Sequence, residues 1–232
     1  MRKPSHTAPQ VRPATSDKLL DAAERLFAEH GYDAVGMRAL ADEAGVNLNA
    51  ATYHFGTKEK LYIETFMRRF RSVSAGRLDL LRQAEAKARG KGLAVETIVE
   101  CLMRPPFQAV LDHPHFPALL ARNLFLPPSF LRDILEAELQ PSLEPFVRAL
   151  ARALPRLPPP LLMVRLMFSG GSLLMFAAHQ GGAERRKRIH PTLVEVIFRE
   201  LVRFVSIGLR AKATVSASAM PPLPLSLGPT RV

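Results

Sequence analysis

The sequence has a single cysteine, Cys101, in 232 residues. No intramolecular disulfide can form, so a reducing cytoplasm fits better than secretion, and a buried core thiol is the expected role of that side chain. A sustained alternation of β-branched and aromatic residues is missing as well, while apolar periods of three to four recur throughout, so the fold class expected is all-α. There is no Gly-rich phosphate loop, no nucleophile motif of the G-x-S-x-G kind, no metal-ligand cluster and no credible carboxylate pair, so neither an enzyme nor a resident cofactor or metal is expected. Basic residues near the N-terminus are not followed by an apolar run, which argues against a signal peptide. The most lipid-like stretch, Leu157 to Ala178, is interrupted by Arg165 and by Gly170-Gly171. Its uncharged part, from Leu166, is shorter than the about 20 residues a bilayer span needs, so a soluble chain is expected.

What is present is a foldable composition, 47% hydrophobic and 23% charged, with a strong basic excess, formal charge +11 and pI near 10.5. Such an excess fits a polyanionic partner, nucleic acid or a membrane surface, because Lys and Arg release condensed counterions on neutralising phosphates. Charge alone does not locate the contact: Met1 to Arg71 holds 11 basic against 9 acidic side chains, and the remainder 21 against 12. Residues 1–15 carry Arg2, Lys3, His6 and Arg12 without an acid and read as a flexible basic arm.

Punctuation by glycine and proline divides the chain into helices. Leu19, Ala22, Ala23, Leu26 and Phe27 stripe a helix that starts near Ser16 or Asp17 and stops at His30-Gly31, where Gly31 supplies a left-handed C′ residue. A short helix with Met37, Leu40, Ala41 and Ala44 inward ends at Gly45, with Val46 placed to pack back. A third starts at Asn47, a good N-cap, and reaches Phe55; Thr57 caps a fourth that runs to about Ala88, before Gly90 and Gly92. Later helices are expected at Ala94 to Leu111, Phe116 to Leu126, Phe130 to Leu154, Pro159 to His179 and Pro191 to Ala211. The third of these contains Pro141 and Pro145 and is expected to be kinked or split. From Lys212, a Ser, Ala, Pro and Leu composition without period reads as a disordered tail over 212–232.

Two short helices joined by a tight Gly-containing turn can present the second helix to a DNA major groove. The segment AAERLFAEHGYDAVGMRALADEAGVNLNAATYHFGTKEKLY then resembles the signature region of TetR-type transcriptional regulators. It carries Phe27, Gly31-Tyr32, Arg38-Ala39-Leu40-Ala41, Ala44-Gly45-Val46, Tyr53-His54-Phe55 and Lys58-Glu59-Lys60-Leu61 where that family has them. The resemblance covers about the first 62 residues well and the rest only by architecture. It implies a helix-turn-helix domain over 16–62 and a helical effector-binding and dimerisation domain over 63–211. It also implies binding to double-stranded operator DNA as a homodimer through the last two long helices, and repression relieved by a ligand. The run VNLNAATYHFGTKEKLY is similar to a subgroup of which some members respond to acyl compounds, which implies a small apolar effector of the fatty acid or acyl-CoA kind. Two departures stand out: Gly36 replaces the usual Ser or Thr cap of the second helix, and Thr52 stands where many members have Tyr.

Roles follow residue by residue. Arg38 would bond a phosphate or a guanine edge. Asn47 is counted among the DNA contacts, and Asn49, Ala50 and Thr52 occupy the exposed face of the recognition helix, with Leu48 either joining them or covering the core. Tyr53, His54 and Lys58 would bind phosphates and fix register. Phe27, Leu40, Ala41, Val46 and Phe55 read as core.

In the larger domain, the small residues Gly170-Gly171-Ser172 and Ala177-Ala178, with the stripe Leu193, Val196, Ile197, Leu201 and Phe204, suit a dimer surface or a plain core. Met163, Met167 and Met175 suit an adaptable apolar pocket or, again, core. Met103, Phe107, Phe116, Leu120 and Phe125 would complete its walls. Arg122 and Arg165 suit an anionic head group or simply the surface. His113-Pro114-His115 reads as a turn and Arg185 to Arg188 as a solvated basic loop. Against the regulator stands one alternative, a basic helical protein of membrane surfaces without sequence-specific DNA binding.

Overall fold

The computed structural model describes residues 14–179 and 190–213. The tail and loop expectations for 214–232 and Arg185 to Arg188, and all of the basic arm up to residue 13, lie outside the described residues. Among the described residues there are nine α-helices and no strand: α1 Ala14–His30, α2 Met37–Ala44, α3 Leu48–Phe55, α4 Lys58–Ala88, α5 Val95–Asp112, α6 Phe116–Phe125, α7 Ser129–Ala153, α8 Pro159–His179 and α9 Pro191–Arg210. The chain divides into two units inside α4, one up to Thr65 and the other from Phe66.

The first unit is built from α1 to α3 and the start of α4. The apolar stripe of α1 puts Leu19, Ala23 and Phe27 out of water, where they meet Leu40 and Ala41 of α2, Ala51 and Phe55 of α3, and Leu61 and Tyr62. An aromatic cluster closes it: the Phe27 and Tyr62 rings lie 4.8 Å apart edge-on, and Tyr32 stands 5.2 Å from Tyr62. Such pairs add about 0.5–1.5 kcal/mol beyond simple burial. Val46, expected in the core, is only half-buried, because it follows the left-handed Gly45 and covers the end of α2 instead of entering between helices.

In the second unit α5 is central, packing against α6, α7, α8 and α9. Ile98, Val99, Leu102 and Phe107 of α5 share one apolar core with Phe146 and Leu150 of α7, Leu162 and Leu173 of α8, and Phe198, Val205 and Leu209 of α9. The Phe107 ring stacks on Phe176 at 5.2 Å and meets Phe198 at 5.0 Å. Ion pairs tie the rim of this core: Arg210 to Glu96, and Arg104 to Glu100 and Glu195, with the Arg104 guanidinium 3.9 Å over the Phe198 ring.

Prolines do less damage than their positions suggest. α7 is not split: both Pro141 and Pro145 lie inside one helix, and α5 likewise contains Pro105 and Pro106. Each proline removes one donor to the carbonyl four residues back. For Pro106 that carbonyl belongs to Leu102, and the Nε–H of Arg77 on α4 donates to it at 2.9 Å in place of the missing amide. Arg165, expected at a head group or snorkelling, instead donates to the carbonyls of Leu209, Ala211 and Lys212 at 2.8, 2.7 and 3.3 Å. It closes the C-terminal end of α9, where orphan carbonyls and the helix dipole both favour a cation.

α8 is apolar around most of its circumference, and its window Pro159–Phe176 is long and apolar enough, by length and composition, to cross a membrane. Its uncharged part alone is shorter than a span, and the window reaches that length only by including Arg165. Only 17% of that window is buried within the chain.

Candidate nucleic-acid interface

Local chemistry shapes the α2–turn–α3 segment. Gly36 precedes α2 with extended backbone and makes no side-chain cap, as a residue without a side chain must. At the other end Gly45 adopts φ 64° and ψ 37°, the left-handed conformation that costs glycine least. The Val46 amide then donates to the Ala41 carbonyl at 2.9 Å and the Gly45 amide to Asp42 at 3.1 Å, the paired bonds of a Schellman turn. Asn47 follows in extended conformation, and its Oδ1 accepts from the Ala50 amide at 2.7 Å. Its carboxamide oxygen is therefore committed to capping α3, a role distinct from the DNA contact expected of it.

The heptad geometry of α3 then sorts its residues. Ala51 and Phe55 face inward at 0% and 6% exposure, while Asn49, Thr52 and Tyr53, spaced i, i+3 and i+4, share the outer face. Tyr53 is 87% exposed, an unusual state for an aromatic side chain with nothing to cover it. Leu48, Ala50 and His54 are half-buried at the flanks, and the Tyr53 and His54 rings lie 5.5 Å apart. Arg38 is exposed in the first turn of α2. An ion pair between Arg25 of α1 and Glu43 of α2 ties the scaffold behind this face.

Lys58 sits differently from the expectation of a free phosphate ligand. Its ammonium donates to the Tyr32 carbonyl at 3.1 Å and lies 4.1 Å over the Tyr32 ring, so it braces the turn after α1 against the start of α4. Two of its three donors remain. Burial, and then the nearby carboxylates of Glu59 and Asp33, raise the Tyr32 phenol above its ordinary pKa. Thr57 caps α4 as expected, its Oγ1 accepting from the Lys60 amide at 3.1 Å.

The nine residues expected around an effector are not gathered at one place. Met103, Phe107, Phe116 and Leu120 are packed into the core at 7% exposure or less. Met163 is half-buried, Arg122 is exposed, and Met167 and Met175 stand 57% and 71% exposed on the outer face of α8. The Phe125 side chain lies outside the described residues. A groove of about 540 Å³ does open between α5 and α9, lined among others by Glu96, Glu100, Arg104 and Glu195. Its charges largely satisfy one another. Met167, Phe168, Met175, Leu193, Val196, Phe204 and Ile207 form a set of exposed large apolar side chains on α8 and α9; of the stripe expected on α9, Ile197 and Leu201 instead lean on the core. Cys101 is buried, and desolvation, followed by the Glu100 charge, raises its thiol above the ordinary value.

Comparison with known proteins follows this division. A family model described as bacterial regulatory proteins, tetR family, matches residues 19–65, and one described as tetracyclin repressor-like, C-terminal domain, matches residues 100–208. The HTH-type transcriptional repressor AcnR of Corynebacterium efficiens is 42% identical over 57 residues, 22% of this chain and 30% of that protein. The HTH-type transcriptional activator FasR of Mycolicibacterium smegmatis is 32% identical over 83 residues, 36% and 38% of the two chains. The chain thus spans less than half the length of these curated relatives. A TetR family transcription regulator from Marinobacter aquaeolei VT8 superposes with TM-score 0.60 at 17% identity, over 82% of this chain and 94% of that one. The fatty acid degradation regulator FadR from Bacillus halodurans gives 0.53 at 16% identity, over 88% and 100%. At such identities these likenesses show the fold.

Proposed function

The chain belongs to the TetR family of bacterial regulatory proteins, and from that premise we propose that it represses transcription by binding a pseudo-palindromic operator as a homodimer in the cytoplasm. The observation that carries this reading is the outer face of α3. Asn49, Thr52 and Tyr53 are open to solvent on a helix whose start is fixed by the Gly45 turn and the Asn47 cap and whose inner face is locked by Ala51 and Phe55. Asn49 suits an adenine edge, and Thr52 and Ala50 suit thymine methyls. Tyr53, His54, Arg38 and the two remaining donors of Lys58 suit phosphates, which hold the protein in register.

Dimerisation rests on the exposed apolar faces of α8 and α9, since a patch of that kind is rarely left to water. A second copy applying the same faces would cover both sets, and the two recognition helices would then sit about 34–36 Å apart, one turn of B-DNA. An apolar effector is supported by the aliphatic and aromatic core of the second unit, with Phe107, Phe146 and Phe198 in it. It releases the operator if it binds the DNA-free conformation more tightly.

The test is selection of bound sequences from a random duplex pool at physiological salt. Enrichment of one palindrome, with half-sites a helical turn apart, is expected. Loss of all sequence preference, combined with flotation on anionic vesicles, would replace this reading with one in which α8 meets lipid.

A further inference from the structure

Along α4 the apolar face reads Phe70, Val73, Leu81, and one position on it is filled by Arg77. The guanidinium lies deep enough among protein atoms for burial alone to lower its pKa to about 10. It nevertheless keeps part of its surface accessible, so an anion could reach it from outside. Among the described residues its only hydrogen bond is from Nε to the Leu102 carbonyl, and no carboxylate pairs with it. A neutral donor would serve that carbonyl equally well. A cation placed there and left without a counter-charge is costly unless an anion arrives from outside.

One turn back on the same helix, the Ser74 Oγ is buried with no hydrogen-bond partner among the described residues. Buried hydroxyls are ordinarily satisfied, so an unmet one beside an unmet cation is a second, independent sign. The planar fork of an arginine with a hydroxyl three residues away presents donors suited to the oxygens of a carboxylate or phosphate. Their neighbours are apolar: Leu81 and Leu102 are in the core of this unit, and Leu78 packs against it.

We propose that Arg77 and Ser74 form the head-group end of an effector site, and that the effector is an apolar molecule ending in a carboxylate or a phosphate monoester. This rests on the reading of the second unit as an effector-binding domain. Arg165, the other arginine within an apolar run, is occupied at the end of α9, and Arg122 is exposed, so neither competes for the head group.

The experiment is calorimetric titration of the full-length protein with three probes of matched chain length, at six, ten and fourteen carbons: the alkanoate, the alkyl phosphate and the alcohol. One of the two anions is expected to bind roughly 10- to 100-fold more tightly than its alcohol, and which anion it is identifies the source of the head group. Arg77→Gln, which keeps a donor for Leu102, should erase that difference by weakening anion binding far more than alcohol binding. Ser74→Ala and Arg77→Lys should weaken anion binding by a smaller factor, and they carry the test if the glutamine variant fails to fold. Alcohol binding equal to anion binding, or anion affinity unmoved in these variants, overturns the head-group assignment while the apolar-effector reading stands. If no probe binds the wild type at any length, the apolar-effector reading falls and takes this site with it.

Discussion

Replacing Asn47 separates two roles that one side chain was given, as cap of the recognition helix and as reader of DNA. The structure spends its Oδ1 on the Ala50 amide at 2.7 Å, so Asn47→Ala should cost the protein about 1 kcal/mol, within the 0.5–2 typical of lost N-caps. For a chain of this size melting in one transition, that is a fall in Tm of about 2–4 °C by scanning calorimetry. The effect on operator affinity is bounded by the same quantity. If DNA must reorder a frayed first turn of α3, the loss is at most that 1 kcal/mol, about fivefold, and it applies to every sequence alike. A lost base contact would behave otherwise, costing about 1–3 kcal/mol and acting at one base position. Asn47→Ser decides between them, because serine caps as well as asparagine but cannot pair bidentately with adenine. Fluorescence anisotropy on the selected operator and its single-base variants should show Asn47→Ser near wild type in Tm, affinity and preference. A serine variant as unstable as the alanine one would refute the capping argument. One with normal Tm but more than tenfold relaxed preference at a single base would refute the separation of roles.

Other changes have equally direct readings. Arg165→Met removes a charged donor from three carbonyls at the end of α9 and should lower stability by about 1.5–3 kcal/mol, measured by urea denaturation; no change would mean water replaces it fully. The Glu96 carboxyl is held near 2 by its hydrogen bonds and charge pairing with Arg210. A depressed acid contributes stability above its unfolded pKa near 4.5 that is lost as pH falls towards 2, so Glu96→Gln should flatten the acid limb of a Tm-against-pH curve in that window. Both partners are exposed, so the change should stay below about 1 kcal/mol and shrink in high salt. Phe168→Glu puts a charge on the open face of α8 and should give monomers by sedimentation equilibrium with weakened operator binding; an intact dimer would move the interface elsewhere.

Helix positions were legible because glycine and proline punctuate this chain: Gly31, Gly45 and Gly90 all take the left-handed conformation their places demanded. The outer face of α3 was legible for a related reason, since eight residues with Ala51 and Phe55 inward leave few choices for Asn49, Thr52 and Tyr53. Periodicity failed where a helix is apolar on every side. On α8, Leu162 and Leu173 enter the core while Met167 and Met175 do not, and spacing alone cannot tell which stripe meets the rest of the chain. Pro141 and Pro145 do not split α7, because one lost amide at each does not outweigh the remaining bonds of a 25-residue helix anchored by buried Leu135, Phe146 and Leu150. Arg77 went unread although its signal was present, a cation standing where the α4 stripe calls for an apolar residue.

The pair formed by Pro106 and Arg77 gives sequence drift in this protein a direction. Were Pro106 changed first, to alanine for instance, the new amide could serve the Leu102 carbonyl from within α5, and Arg77 would become replaceable as far as the helix is concerned. Were Arg77 changed first to an apolar residue, that buried carbonyl would lose its donor at a cost of about 1–3 kcal/mol, a large part of the margin most proteins have. Descendants lacking the arginine are therefore expected to lack the proline too, whereas the reverse order leaves a viable intermediate in which the guanidinium is untethered and free to take a different ligand.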